Sequence, residues 1–373
     1  MDLSSLVERL GEAPLLAAGG AVVGLAFGFF AQRSSFCLRA AVIEFWRRQA
    51  GEKLAIWLLT FSAAVVSVQA LVLAGWIDVG NARQLASRGS LSGAIVGGLL
   101  FGAGMIMTRG CASRLLVLSA TGNLRALLSG LIFAVTAQAA LGGALSPLRQ
   151  TISAWWTVEG GASRDLLAIT GAGHWGGLAF GALWLAAALW YALRSRRSVW
   201  KWVGGIGAGL AVAAGWTWTA RVAASSFNVV PVQGLTFSGP SAEWLMRVLA
   251  LPAPHWGFDS GLLPGVFAGA FLGGLIGGDL KLEGFKDGYS MRRYIAGAIF
   301  MGFGSMLAGG CAVGAGVTGG AVFALTAWIA LAAMWVGAGL TDRWLDVPEA
   351  RRAEAAAAAT ARPPEAPAQP MPT

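Results

Sequence analysis

The residues of this chain best suited to chemistry are its three cysteines, and each closes a glycine-rich apolar run. Cys37 follows GFFAQRSSF, Cys111 follows GAGMIMTRG and Cys311 follows GFGSMLAGG. A thiol donates a weak S–H hydrogen bond, and its thiolate is a nucleophile and a soft ligand. One buried cysteine is most often a small hydrophobe, but three of three at the ends of apolar runs argue for a role. None belongs to a C-x-x-C pair and three cannot all pair with one another, so a disulfide scaffold and a zinc ribbon are poorly supported. Either protonation state suits a soft, sulfur-bearing substrate better than a hard oxyanion. Beside them stand Gly110 and Gly310, which permit a tight turn or an exposed backbone N–H. Arg33, Arg39, Arg109 and Arg114 could draw an anion or simply anchor the chain at a membrane surface. The candidate substrate-binding set is Cys37, Cys111, Cys311, Gly110, Gly310, Arg109 and Arg114.

These segments repeat. Gly97, Gly102, Gly104, Gly110, Cys111 and Ala112 recur 200 residues later as Gly297, Gly302, Gly304, Gly310, Cys311 and Ala312. Thr121-Gly122 recurs as Thr318-Gly319, at an offset of 197. A repeat of this length outranks a local motif as evidence of architecture. The stretch before Cys37 carries a glycine ladder, Gly20, Gly24 and Gly28, whose spacing recurs at Gly265, Gly269 and Gly273 with no cysteine after it. Four-residue glycine spacing in membrane helices usually serves close packing, which is the expectation for these ladders.

Hydrophobic residues make up 56% of the 373 and charged residues only 12%, where a soluble chain has about 25% charged. The alternation of a β-barrel is absent, so the chain reads as an all-α integral membrane protein. Apolar windows at about 14–31, 54–76, 91–107, 124–145, 175–193, 200–220, 262–280, 294–308 and 321–340 give about nine transmembrane helices. Shorter apolar pieces at 36–45, 111–120, 222–230, 241–251 and 311–318 have the length of re-entrant half-helices.

Placing the N-terminus outside puts 20 of the 27 Lys and Arg residues on the cytoplasmic side. The positive-inside bias therefore predicts an outside N-terminus and a cytoplasmic C-terminus, and the net charge of +9 records topology rather than affinity for nucleic acid. The spans before Cys111 and Cys311 then run in opposite directions, which makes the repeats inverted. They cover about 14–145 and about 262–341 within one transport domain, residues 1–345. Inverted repeats build a site near the bilayer midplane from broken helices, and Cys111 and Cys311 are expected to meet there. Trp76, Trp155, Trp156, Trp175, Trp200, Trp202 and Trp256 read as an aromatic belt. His174 and His255 read as interfacial residues, and 346–373, rich in Ala, Pro and Glu, as a disordered cytoplasmic tail.

Arg33-Ser34-Ser35-Phe36-Cys37, the turn Gly110-Cys111-x-x-Arg114 with Thr121-Gly122 after it, and Gly309-Gly310-Cys311-Ala312-Val313-Gly314-Ala315-Gly316 resemble the three cysteine motifs of the YeeE/YedE (sulfur transport) family. The likeness spans most of residues 14–341. It implies an hourglass-shaped inner-membrane protein of inverted repeats that takes up thiosulfate, with Cys37, Cys111 and Cys311 passing the ion along by S–H contacts. Ala112 stands where the family often has proline and Ala312 where it often has threonine. The resemblance also implies that a small cytoplasmic sulfur-carrier (TusA-like) protein can be a partner.

Two other readings compete with a transporter. A membrane thiol oxidoreductase or sulfurtransferase would need a base or a resolving cysteine beside its nucleophile, and no histidine is near any cysteine in sequence. A soft-metal carrier would hold Cu(I) on three thiolates, yet Met-rich loops and cysteine pairs are missing. No G-x-x-x-x-G-K-[ST] loop occurs, so no ATPase machinery is expected, nor any cofactor or enzymatic activity.

Overall fold

The computed structural model describes residues 4–49, 51–194, 199–250, 256–285 and 288–348. After a short α1 (Ser4–Leu10), one pattern recurs: a long helix, a break, a short helix and a second long helix. Its first copy is α2 (Glu12–Ser34), α3 (Leu38–Trp46) and α4 (Glu52–Leu73). A short α5 (Arg83–Ala86) leads to the second copy, α6 (Leu91–Met107), α7 (Ala112–Ala120) and α8 (Leu124–Gly142). Between copies lie α9 (Ser146–Ala154), α10 (Leu166–Thr170) and α11 (Gly173–Arg194). Two-residue strands β1 (Gly89–Ser90) and β2 (Thr157–Val158) pair antiparallel beside them. The third copy is α12 (Val199–Ala224), α13 (Ser238–Leu249) and α14 (Phe258–Gly277). The fourth is α15 (Gly288–Leu307), a π-helical segment π1 (Ala312–Gly319) and α16 (Leu325–Thr341), which runs on as π2 (Asp342–Asp346).

This is an all-α, multi-pass membrane protein. Among the described residues, eight stretches are long and apolar enough to cross a bilayer. The nine windows expected from sequence each fall on a long helix, but α12, at 200–220, is not one of the eight. It is long enough at 26 residues, and its four tryptophans, two threonines and five glycines dilute its apolarity. The half-helix expected at 222–230 does not form: α12 runs to Ala224, and residues 226–236 are irregular. His255 and the tail beyond Pro348 lie outside the described residues. Asp346, where the tail was expected to begin, is pinned by Arg39 at 2.9 Å and also pairs with Arg293.

Glycines set how the helices meet. A methyl group on Gly97 would fall 2.6 Å from the Gly304 carbonyl, and one on Gly104 would strike the Gly297 carbonyl. Early residues of α6 thus face late residues of α15, so the two helices are antiparallel. The contact is also its own image under the 200-residue offset, because Gly97 maps to Gly297 and Gly104 to Gly304. The crossing of α2 with α12 is antiparallel as well, with Gly204 against Phe30 and Gly19 against Trp218.

The second long helices pack parallel instead. Gly98 and Gly102 of α6 face Ala330 and Met334 of α16, and Gly24 and Gly28 of α2 face Leu262 and Val266 of α14. Gly205 and Gly209 of α12 face Ile56 and Thr60 of α4 in the same sense. The two glycine ladders noted in the sequence therefore zip onto each other, since Gly265 and Gly269 lie on the Ala21 and Leu25 carbonyls. Lipid supplies no hydrophobic drive between helices, so this close approach, with its dispersion and Cα–H···O contacts, is what holds them.

Polar side chains complete the interior where helices break. Gln69, fully buried, donates to the Ala321 carbonyl at 2.7 Å just past π1, and its own oxygen meets His174 Nδ1 at 3.0 Å. His174 is therefore tied to the core as well as lying near a span end. Gly97→Ala and Gly304→Ala should each destabilise the detergent-solubilised protein by about 1–3 kcal/mol through overpacking. Gly130→Ala, where an added methyl meets nothing within 4 Å, should leave the melting midpoint unchanged or raise it. Thermal melts of the three variants check this.

Candidate functional site

One local turn places all three cysteines. Each preceding long helix closes on a residue in the left-handed region two positions before the cysteine: Ser35 at φ 55°, Arg109 at φ 56° and Gly309 at φ 79°. The next N–H reaches back to the carbonyl five residues earlier, Phe36 to Ala31 at 3.0 Å, Gly110 to Met105 at 3.2 Å and Gly310 to Ser305 at 2.9 Å. This is a Schellman closure, which satisfies a helix-end carbonyl and swings the chain into a new direction. Cys37, Cys111 and Cys311 then become the N-cap residues of α3, α7 and π1.

The sequence suggested that Gly110 and Gly310 make the turn. The left-handed residue is one position earlier, and Gly310 serves clearance, because a side chain there would come 2.7 Å from the Ala315 nitrogen. At Gly110 the same added atom would meet Leu115 at 3.2 Å, and in the first copy Phe36 occupies this position. Both glycines are buried.

The thiols are buried, with Cys111 and Cys311 at 0% and 1% exposure and Cys37 at 8%. Cys37 and Cys111 are close neighbours in the interior, and Cys111 Sγ is 3.4 Å from Ser113 Oγ. Cys311 Sγ accepts a hydrogen bond from the Gly314 N–H at 3.4 Å. The equivalent amides of Ala40 and Arg114 lie beside Cys37 and Cys111 without the alignment of a true cap. Every cysteine thus sits at the amide-rich start of a short helix. The segment π1 packs on α7, which joins the third cysteine's helix to the second's.

Of the candidate arginines, Arg114 joins the thiols and Arg109 does not. Arg114 and Arg39 are near enough to Cys37 to act on it electrostatically, and Arg114 also donates to Gln32 Oε1 at 3.2 Å. Arg109 is exposed and neighbours Arg125. Arg125 in turn binds the Thr108 carbonyl at 2.8 Å and lies over the Tyr294 ring at 4.9 Å, so it caps the end of α6.

Sequence reasoning missed two contributors. Gln32, 6% exposed, links α2 to Arg114, and a lone glutamine in an apolar run gave no signal beyond its polarity. In the third copy the N-cap is Phe237 rather than cysteine, and the chain ahead of it folds over π1. There the Thr318 hydroxyl donates to the Leu235 carbonyl at 2.6 Å, and the Thr236 hydroxyl lies against Gly314.

Residues 33–340 match the family described as sulphur transport. The chain belongs to that family. Membership of the sulphur transport family makes it a transport protein rather than an enzyme, and among the described residues no three His, Cys, Asp or Glu side chains converge as metal ligands. It is 26% identical over 325 residues to the thiosulfate transporter TsuA of Spirochaeta thermophila, covering 83% of this chain and 93% of that one. It is 23% identical over 345 residues to the thiosulfate transporter TsuA of Escherichia coli, covering 87% and 93%. Mild oxidation of the purified protein should join Cys37 to Cys111 within one chain and leave Cys311 free to alkylate, which peptide mass spectrometry reads directly.

Proposed function

We propose that this protein carries thiosulfate or a related small sulfur anion across the bacterial inner membrane, handing it between Cys37, Cys111 and Cys311. The observation that carries the reading is the threefold recurrence of one turn that leaves a buried thiol at the start of a short helix. Aligned peptide dipoles place roughly half a positive charge at such a terminus, which helps hold a dianion without a fully buried cationic side chain. A thiol S–H suits the soft terminal sulfur of thiosulfate, and weak contacts suit a substrate that must leave again. Gly110, Gly310 and Arg114 shape and charge this path, and Arg109 draws anions toward its mouth.

The four copies read best as two inverted repeats, 12–142 and 199–341, related by an axis in the membrane plane within one transport domain. The antiparallel α6–α15 and α2–α12 crossings support that reading. On it the repeat begins at α12, earlier than the 262 expected from the glycine ladder, because α14 packs parallel to α2. The arginine distribution supports an outside N-terminus and a cytoplasmic C-terminus, and a small sulfur-carrier (TusA-like) protein is the partner suited to receive the product inside.

A thiol enzyme would make one cysteine indispensable and two dispensable, whereas a relay makes all three necessary. Cys37→Ala, Cys111→Ala and Cys311→Ala should each reduce thiosulfate uptake steeply at normal membrane abundance, and the three serine variants should recover little. Serine is harder and more strongly hydrated than cysteine, so it does not replace a contact made to sulfur. Uptake of labelled thiosulfate, normalised to protein in the membrane, decides it. Near-normal activity in any two alanine variants ends the relay.

A further inference from the structure

A cavity of about 190 Å³ is lined among others by Gln32, Arg114, Asn123, Asp279, Lys281 and Glu283, and reaches toward Cys37 through Ser35 and Arg114 of its wall. Its charges are mixed, two cations against two carboxylates. Among the described residues no ion pair joins Arg114 or Lys281 to Asp279 or Glu283. Each carboxylate is held by an amide instead: Gln32 Nε2 donates to Asp279 at 3.3 Å, and Asn123 Nδ2 donates to Glu283. Gln32 spends its carbonyl on Arg114 and its amide on Asp279, so it keeps the guanidinium and the carboxylate apart while fixing both. Asn123 is fixed as well, its oxygen accepting from the Ala126 N–H at 2.9 Å as the N-cap of α8.

Charges kept unpaired at the wall of a cavity act on whatever enters it. The helix starts at Cys37 and Cys111 present positive potential, and Arg114 and Arg39 add to it at Cys37. The wall of the cavity adds negative charge through Asp279 and Glu283. A dianion reaching it meets Arg114 and Lys281 in attraction and Asp279 and Glu283 in repulsion, so the two carboxylates oppose the pull of the two cations that line it with them. Conduction needs binding weak enough for departure, and a cavity carrying only cations would stall the anion.

We infer that this cavity is the release station for the anion, with Asp279 and Glu283 setting how fast it leaves. The inference rests on the transport reading above and adds to it two carboxylates that govern departure of the anion.

The test is thiosulfate uptake into proteoliposomes by wild type, Asp279→Asn, Glu283→Gln and Arg114→Gln. Slower release lowers Vmax and KM together and leaves Vmax/KM unchanged. Each carboxylate variant should show both falling by about tenfold, since one elementary charge is removed from the wall. Arg114→Gln should instead lower Vmax/KM. Both carboxylate substitutions keep the size of the side chain and its contact to the neighbouring amide, and they sit in different contacts, so one can fail to fold without silencing the other. A fall in Vmax at constant KM, a rise in KM, or no change would overturn the release role while leaving thiosulfate transport intact. Absence of thiosulfate uptake by wild type would overturn the transport reading itself.

Discussion

The structure depends on one constraint, that a helix broken inside a bilayer must satisfy its own backbone. An unpaired N–H or C=O in hydrocarbon costs several kcal/mol, so a break survives only where protein groups answer it. Here the three breaks ahead of the cysteines are closed by the same left-handed residue and back-reaching N–H, and Ser35 and Arg109 hold that conformation without being glycine. A non-glycine residue there costs roughly 1–2 kcal/mol. The packing around the break must offset it, and what the turn secures is a cysteine held at a set of amides that have no helical partner of their own.

That arrangement needs rigid walls, and the glycines provide them. At the α6–α15 and α2–α14 crossings the backbones approach closely enough that a methyl group would collide with a carbonyl, so the long helices cannot slide without losing contact along their length. The cationic side chains serve the same end. Arg125 and Arg293 bond the terminal carbonyls of α6, where a cation also suits the helix dipole. Arg39 and Arg293 share Asp346, and Arg47 holds Asp342 through two bonds of 2.9 and 2.8 Å, which ties α3 and α15 to the end of α16. Several of the arginines counted for topology thus also bind the broken helices together.

The third copy differs from the other three in a way that bears on chemistry. Where they carry a cysteine it carries Phe237, whose ring packs on Phe27 at 5.3 Å, and Phe27 in turn meets Phe36 in the first copy. Four similar units therefore present three thiols and one aromatic ring at the equivalent position.

The sequence by itself determined what depends on local composition. Apolar windows long enough to span, short pieces after each cysteine, the 200-residue repeat and the membership of a membrane class follow from hydropathy and spacing alone, since a bilayer enforces them on any chain. The half-helices after Cys37, Cys111 and Cys311 were legible to within a residue or two because glycine and cysteine mark the breaks. Tertiary structure alone decided which elements are partners. Glycine ladders 245 residues apart looked like two copies of one element and are instead two faces of one contact. Arg109 and Arg114 were equivalent in sequence, yet the left-handed turn sends the first to the surface while the second, one helical turn beyond Cys111, points back to Gln32. The cavity's mixed charge was invisible for the same reason: Gln32, Asn123 and the Asp279–Glu283 stretch come from three distant segments, and side-chain direction and helix register are fixed by packing rather than by neighbours in the chain.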